Sequence, residues 1–237
     1  MIQMLVHMIC MLVVGWLALL FPGSAAAQPA TNSTSAICGV DIENQKWDAL
    51  EVACLRQLGK RAGRKGDLLT LRLENGGSKE YRNDARGCEN NDECISYWLV
   101  AYHPEARVYS VAIGYYEGRG VELLGARTGN VLRLTGIPYF SADGSRFVAI
   151  DNDEAYGGDY DLSVGSNTNG SLSLDWQYKS NEGGPLEWRL ERWIDNDHVA
   201  MRVFSSGTDK KCPDNDCDAM LVRFGNSWMV RRLPAKQ

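Results

Sequence analysis

Two short polar runs stand out for their chemistry: CENNDEC at residues 88–94 and CPDNDC at residues 212–217, each a stretch of Asn and acidic residues bracketed by cysteines. A cysteine pair can bind a metal, shuttle electrons or staple a turn. Structural zinc sites favour ligand pairs two residues apart, whereas these spacings are C-x5-C and C-x4-C. A dithiol redox centre needs C-x-x-C at the start of a helix, and the sequence has none. Stapled turns remain, and closing so short a loop adds roughly 2 kcal/mol of stability. The acidic members, Asp92 and Glu93 in the first run and Asp214 and Asp216 in the second, are the candidate binding residues. A pre-closed loop loses little entropy when it docks.

Carboxylates gather again in DNDEAYGGDYD, where Asp151, Asp153, Glu154, Asp159 and Asp161 flank the pair Gly157-Gly158. Hard cations take several oxygen ligands from flexible loops, which makes calcium the one cofactor the sequence suggests. The spacing does not fit an EF-hand, and a solvated acidic loop is the competing reading.

Catalysis has few candidates. Of three histidines, His7 lies in an apolar leader, His103 precedes Pro104 in a turn and His198 opens a strand. No G-x-S-x-G elbow, S-x-x-K pair or H-E-x-x-H motif accompanies them. No residue is assigned a catalytic role. A hydrolase acting on envelope polymers is the contrasting class, and it would need His103 or His198 beside two carboxylates in a deep cleft. Trp98, Tyr102, Tyr109, Tyr115, Tyr116, Trp176, Tyr178, Trp188 and Trp193 could stack on sugars or bases. In a β-rich chain they are expected as core and cross-strand pairs.

The compartment decides how the cysteines are read. From Ile2 to Phe21 the chain is apolar apart from Gln3 and His7, and it then reads PGSAAAQ. A Pro-Gly break followed by Ala25-Ala26-Ala27 fits a secretory signal peptide, residues 1–27, cut before Gln28. No Lys or Arg precedes the apolar run, so an uncleaved anchor is the alternative and would be the chain's membrane contact. Removing the leader removes Cys10 and leaves six cysteines: Cys38, Cys54, Cys88, Cys94, Cys212 and Cys217. An even number in an exported chain reads as disulfides, with fifteen possible pairings. Proximity favours Cys38–Cys54, Cys88–Cys94 and Cys212–Cys217. A periplasmic or secreted location follows.

The net charge of −5 lies wholly outside the leader and argues against a nucleic-acid partner. Positive charge gathers at Lys60, Arg61, Arg64 and Lys65. This run reads as a solvated loop, or as a contact for anionic lipid or lipopolysaccharide.

These residues need elements to position them. Residues 28–40 read as a flexible tether and 41–65 as a helix followed by the basic loop. Trp47, Leu50, Cys54, Leu55 and Leu58 share a helical face, with Asp41 as cap and Gly59 as stop. Residues 66–237 form a β-rich domain. It starts with the hairpin DLLTLRLENGGSKEYRN, turning at Asn75-Gly76-Gly77. Then follow SYWLVAYH, RVYSVAIGYY, VELLGAR, VLRL, RFVAI, YDLSV, SLSLDWQYK, LEWRLERW, HVAMRVF, AMLVRFG and SWMVRR, separated by turn signals such as ADGS, GSNTNG and IDND.

A weak repeat runs through this domain: YHPEARVYSVAI, FSADGSRFVAI and WIDNDHVAMRV each join an aromatic residue, a tight polar turn and an alternating strand. GIPYFSADGSRFVAI resembles a β-propeller blade of the Tol type, and GARTGNVLRLTG resembles the outer hairpin of such a blade. The expected fold is all-β, a propeller-like array of short antiparallel hairpins with one N-terminal helix. A β-sandwich with extra hairpins is the alternative.

The order of the Cys-bearing N-terminal segment, Tyr116-Glu117-Gly118 and Ser141-Ala142-Asp143-Gly144 is similar to that of a group of exported bacterial proteins without an assigned activity. CPDNDC resembles the protruding disulfide loop of periplasmic lysozyme inhibitors, although those carry a histidine that is missing here. The expected function is a disulfide-stapled binding or scaffold module of the bacterial envelope, with an envelope protein or ligand as partner. A lysozyme-type inhibitor is the alternative.

Overall fold

The computed structural model describes residues 36–38, 46–84, 94–116, 118–152, 159–180, 186–205 and 216–233. The leader, Asp41, Cys88, Asp92, Glu93, Asp153, Glu154, Cys212 and Asp214 lie outside them. No helix among the described residues is long and apolar enough to cross a membrane.

The N-terminal helix α1 spans Trp47–Leu58 and buries Leu50, Cys54 and Leu58, the face its spacing predicted. Its cap position is Lys46, with no side-chain bond, and not Asp41. The reason is that apolar residues at helical spacing begin only at Trp47. Gly59 ends the helix with φ 54, and its N–H donates to the Leu55 carbonyl, a conformation glycine adopts without a Cβ penalty. Cys54 is disulfide-bonded to Cys38. That bond ties the helix to the preceding segment, whose Ile37 exchanges backbone hydrogen bonds of 2.8 and 3.1 Å with Tyr102. Cys94 and Cys217 each take part in a disulfide too, with partners outside the described residues.

Four antiparallel sheets follow in chain order, each a meander of sequential strands. The first contains β1 (Ala62–Lys65), β2 (Leu68–Arg72) and β3 (Ser78–Arg82). The second contains β4 (Ile95–His103), β5 (Val108–Tyr115), β6 (Arg119–Gly125) and β7 (Val131–Leu134). The third contains β8 (Ile137–Phe140), β9 (Arg146–Ile150), β10 (Leu162–Thr168) and β11 (Ser171–Tyr178). The fourth contains β12 (Leu186–Asp195), β13 (His198–Ser205), β14 (Asp216–Phe224) and β15 (Ser227–Arg232). The all-β reading with one N-terminal helix holds. No strand pairing joins the fourth sheet to the first among the described residues.

Two strands were not legible in the pattern. The basic run does not form a loop throughout, because a 3-10 turn at Gly59–Arg61 leads directly into β1. β8 contains Pro138, which cannot donate to a ladder but is tolerated because β8 is an edge strand.

The cores lie between successive sheets. Leu69, Leu71 and Tyr81 of the first pack with Leu99, Tyr109 and Val111 of the second. Val121 and Leu123 of the second meet Phe140, Phe147 and Leu172 of the third. Val148 and Val164 of the third meet Trp188, Val203, Leu221 and Trp228 of the fourth. Of the aromatics expected inside, Tyr102, Tyr109 and Trp188 are buried, and Trp98, Trp176, Tyr178 and Trp193 are half-buried. Tyr115 and Tyr116 are exposed, at the end of the second sheet where β5 gives way to a turn.

Candidate functional site

The three repeated motifs fold as the first hairpins of the second, third and fourth sheets, turning at 104–107, 141–145 and 196–197. Their turns meet. A Cβ on Gly144 would stand 2.4 Å from the backbone nitrogen of Ala106, so the SADGS turn can approach its neighbour only with glycine there. Asn167 Nδ2 donates to the carbonyls of Ala106 and Gly144, both at 2.8 Å. Asn196 Nδ2 donates to Asp143 Oδ2 at 2.7 Å. Adjacent turns extend the contact. Thr128 donates to the Gly170 carbonyl, and Asn130 accepts from the Leu172 N–H at 2.7 Å. Ala126 N–H donates to the Arg107 carbonyl and Glu74 N–H to the Ala126 carbonyl, each at 2.7 Å. Turns from all four sheets therefore interlock in one belt at one end of the strands.

Asp143 is the hub of this belt. It accepts from the Ser145 N–H at 3.0 Å, from the Ser141 hydroxyl at 2.7 Å, from the Ser145 hydroxyl and from Asn196. Partial desolvation alone would raise its carboxyl. The Ser145 backbone and the Asn196, Ser141 and Ser145 side chains outweigh that and hold it well below the usual carboxylate range. Its lone pairs are used within the fold, so it is a structural anion.

In an antiparallel meander the alternate connections fall at the other end of the strands. Three pairs of strand ends there flank the polar runs singled out in the sequence: those of β3 and β4, β9 and β10, and β13 and β14. Asp84 and Ile95 exchange backbone bonds of 2.8 and 3.1 Å where the first and second sheets meet. Asp151 N–H donates to the Asp161 carbonyl at 2.9 Å, and the Asp161 carboxylate accepts from Ser180 N–H at 2.7 Å. Asn152 clasps β12, donating to the Trp188 carbonyl at 2.9 Å and accepting from its N–H at 2.8 Å. Asp159 is exposed. Asp216 opens β14 and pairs with the Arg202 guanidinium on β13, so it belongs to a cross-strand ion pair and does not stand at a free loop tip. Among the described residues no group of three His, Cys, Asp or Glu side chains could hold a metal ion.

The histidines occupy different settings. His103 is buried at the end of β4, with Nε2 2.9 Å from Ser110 Oγ and its ring against Phe140 at 4.5 Å. Burial lowers its pKa to about 4, so it is neutral at physiological pH. A Ser–His contact is the start of a nucleophile pair, but both residues are sealed in the core and no described carboxylate orients the ring. His198 Nδ1 lies 2.8 Å from Asp195 Oδ1 beside the third repeated turn. The Asp197 N–H and then His198 hold the Asp195 carboxyl down.

Two buried carboxylates escaped the sequence reading. Glu51 on α1 accepts from Arg64 Nε at 2.6 Å, Arg64 Nη2 at 2.8 Å and the Leu99 N–H at 3.0 Å. Glu122 on β6 accepts from Arg133 Nε at 3.0 Å, and burial followed by this carboxylate pushes the Tyr81 hydroxyl upward. The available signal for Glu51 was its place on the apolar face of α1, between Leu50 and Cys54. No protein-family model, no curated protein and no solved structure matches the chain.

Proposed function

We propose that the chain is an exported, disulfide-stapled binding or scaffold module of the bacterial envelope. In this reading it is a propeller-like array that acts through the end opposite the turn belt. The observation that carries the proposal is the contrast between the two ends. Belt groups such as Asp143, Asn167 and Asn196 bond to one another. The strand ends opposite flank both cysteine-bracketed runs and the acidic run. A body locked in this way loses little conformational entropy on binding, and acidic segments suit a cationic partner.

The Cys38–Cys54 bond fits an oxidising compartment. The three equivalent first hairpins and the Tol-type motif support sheets arranged as blades. Affinity capture from envelope extract, with the protein's disulfides intact, tests the reading. A near-stoichiometric partner supports it. Retention of nothing at low or high salt overturns it.

A further inference from the structure

The basic run that the sequence left between two readings becomes a shaped feature in the fold. Lys60, Ala62, Gly63, Arg64, Lys65, Thr70 and Arg72 line an open groove of about 320 Å³ at the free edge of the first sheet. Gly63 pairs with Thr70 in the ladder, and both face away from the core formed by Leu69, Leu71 and Tyr81. A Cβ at position 63 would meet nothing within 4 Å, so the groove is open above this glycine.

Of the four cations here, only Arg64 has an acidic partner among the described residues, Glu51. Among the described residues, the side chains of Lys60, Lys65 and Arg72 have no hydrogen-bond or ion-pair partner. Arg64 spends Nε and Nη2 on Glu51 and the Tyr97 carbonyl, while its buried Nη1 has no partner. Glu80, opposite Thr70 on β3, is the nearest acidic residue by register. This concentration of positive charge sits on a chain of net charge −5. Lysines on an edge strand also discourage sheet-to-sheet pairing. That role needs neither Arg72 on the inner strand nor a glycine between the charges.

We infer that this groove binds a phosphate group, held by Lys60, Lys65 and the Arg72 guanidinium with the Thr70 hydroxyl as a further donor. Nearly all the side-chain donors present are cationic, and no carboxylate lines the groove. A phosphate brings three acceptor oxygens and up to two negative charges, which matches that set better than a carboxylate does. A soluble anion and a lipid headgroup both offer such a phosphate, and the chemistry at the groove is the same. The inference is independent of the end-on binding proposed above, because it concerns a different part of the surface.

The test is an NMR titration of the isotope-labelled protein with inorganic pyrophosphate, alongside co-sedimentation with phosphatidylcholine vesicles with and without phosphatidic acid. Saturable shifts at Gly63, Lys65 and Thr70 with pyrophosphate assign a soluble source. Binding only to the phosphatidic acid vesicles assigns a headgroup. Gly63→Glu places a carboxylate in the groove from a Cβ that meets nothing within 4 Å. It and Arg72→Glu should each weaken binding about tenfold or more, the loss of one charge-assisted contact, whereas Lys179→Glu should leave it unchanged. Binding of neither probe, or equal binding by wild type and Gly63→Glu, would overturn the assignment. Preserved amide spectra in the variants separate lost binding from lost folding.

Discussion

Asn196 donates a 2.7 Å hydrogen bond to Asp143 and thereby ties the first hairpin of the fourth sheet to that of the third. The same carboxylate organises its own turn through Ser141 and Ser145. Asn196→Ala should therefore cost about 1.5 kcal/mol, one hydrogen bond to a charged group, and Asp143→Ala about twice that. In the double variant the loss should be close to that of Asp143→Ala alone, because the Asn196 contribution passes through Asp143. Urea unfolding midpoints read all three.

Glu51 joins three elements, since it lies on α1, accepts from Arg64 of β1 and accepts from the Leu99 N–H of β4. Removing it would strand a largely buried guanidinium and a buried backbone donor. Glu51→Ala should destabilise the protein by about 3 kcal/mol or more. Replacing both partners by apolar residues, as in Glu51→Leu with Arg64→Met, should recover much of that loss. Thermal unfolding of the single and double variants tests the difference.

Much of this scaffold could be read from residue pattern, and the exceptions share one cause. Helix α1 was legible because Leu50, Cys54 and Leu58 recur at helical spacing, and the Cys38–Cys54 bond followed from proximity. The three repeated turns were legible because aromatic, turn and alternating strand are local signals. What stayed hidden depends on partners distant in sequence. β1 forms from a charged run because β2 supplies its ladder and Glu51 neutralises Arg64. Asn152 looks like part of an acidic loop but clasps Trp188, thirty-six residues on. Asp216 looked like a free tip until β13 brought Arg202 to it.

His103 makes stability depend on pH. Its pKa falls from an ordinary 6.5 to about 4 in the fold, through burial. Above pH 6.5 both states leave it neutral and it costs nothing. As pH falls toward 4 the unfolded chain takes up a proton that the folded chain refuses. Stability is then lost, by up to about 3 kcal/mol on simple linkage. Asp143 adds to this loss only near the lower end of the window, where its unfolded carboxyl begins to take up a proton that the folded one, held well below the usual range, does not. His103→Gln should remove this part of the pH profile between 6.5 and 4 even if the variant is less stable throughout. Denaturant midpoints across that range provide the check.

The Cys38–Cys54 bond closes a loop of sequence separation 16. Chain-entropy reasoning gives about 3 kcal/mol for such a loop. Cys38→Ala with Cys54→Ala should lower stability by that order and expose α1 to early exchange, since the helix then holds β4 by packing, the Glu51 bonds and the Trp98 indole bond to Asp48. Amide hydrogen exchange along residues 47–58 follows it.

We propose that binding takes place at the end opposite the interlocked turns. The most direct measurement is an NMR titration of the isotope-labelled protein with unlabelled, solubilised envelope extract. Broadening is expected at the strand ends near Asp84, Ile95, Asn152, Asp159, Ser205 and Asp216, with Gly144 and Gly170 in the turn belt unchanged. Broadening confined to the turn belt, or no change anywhere, would contradict it.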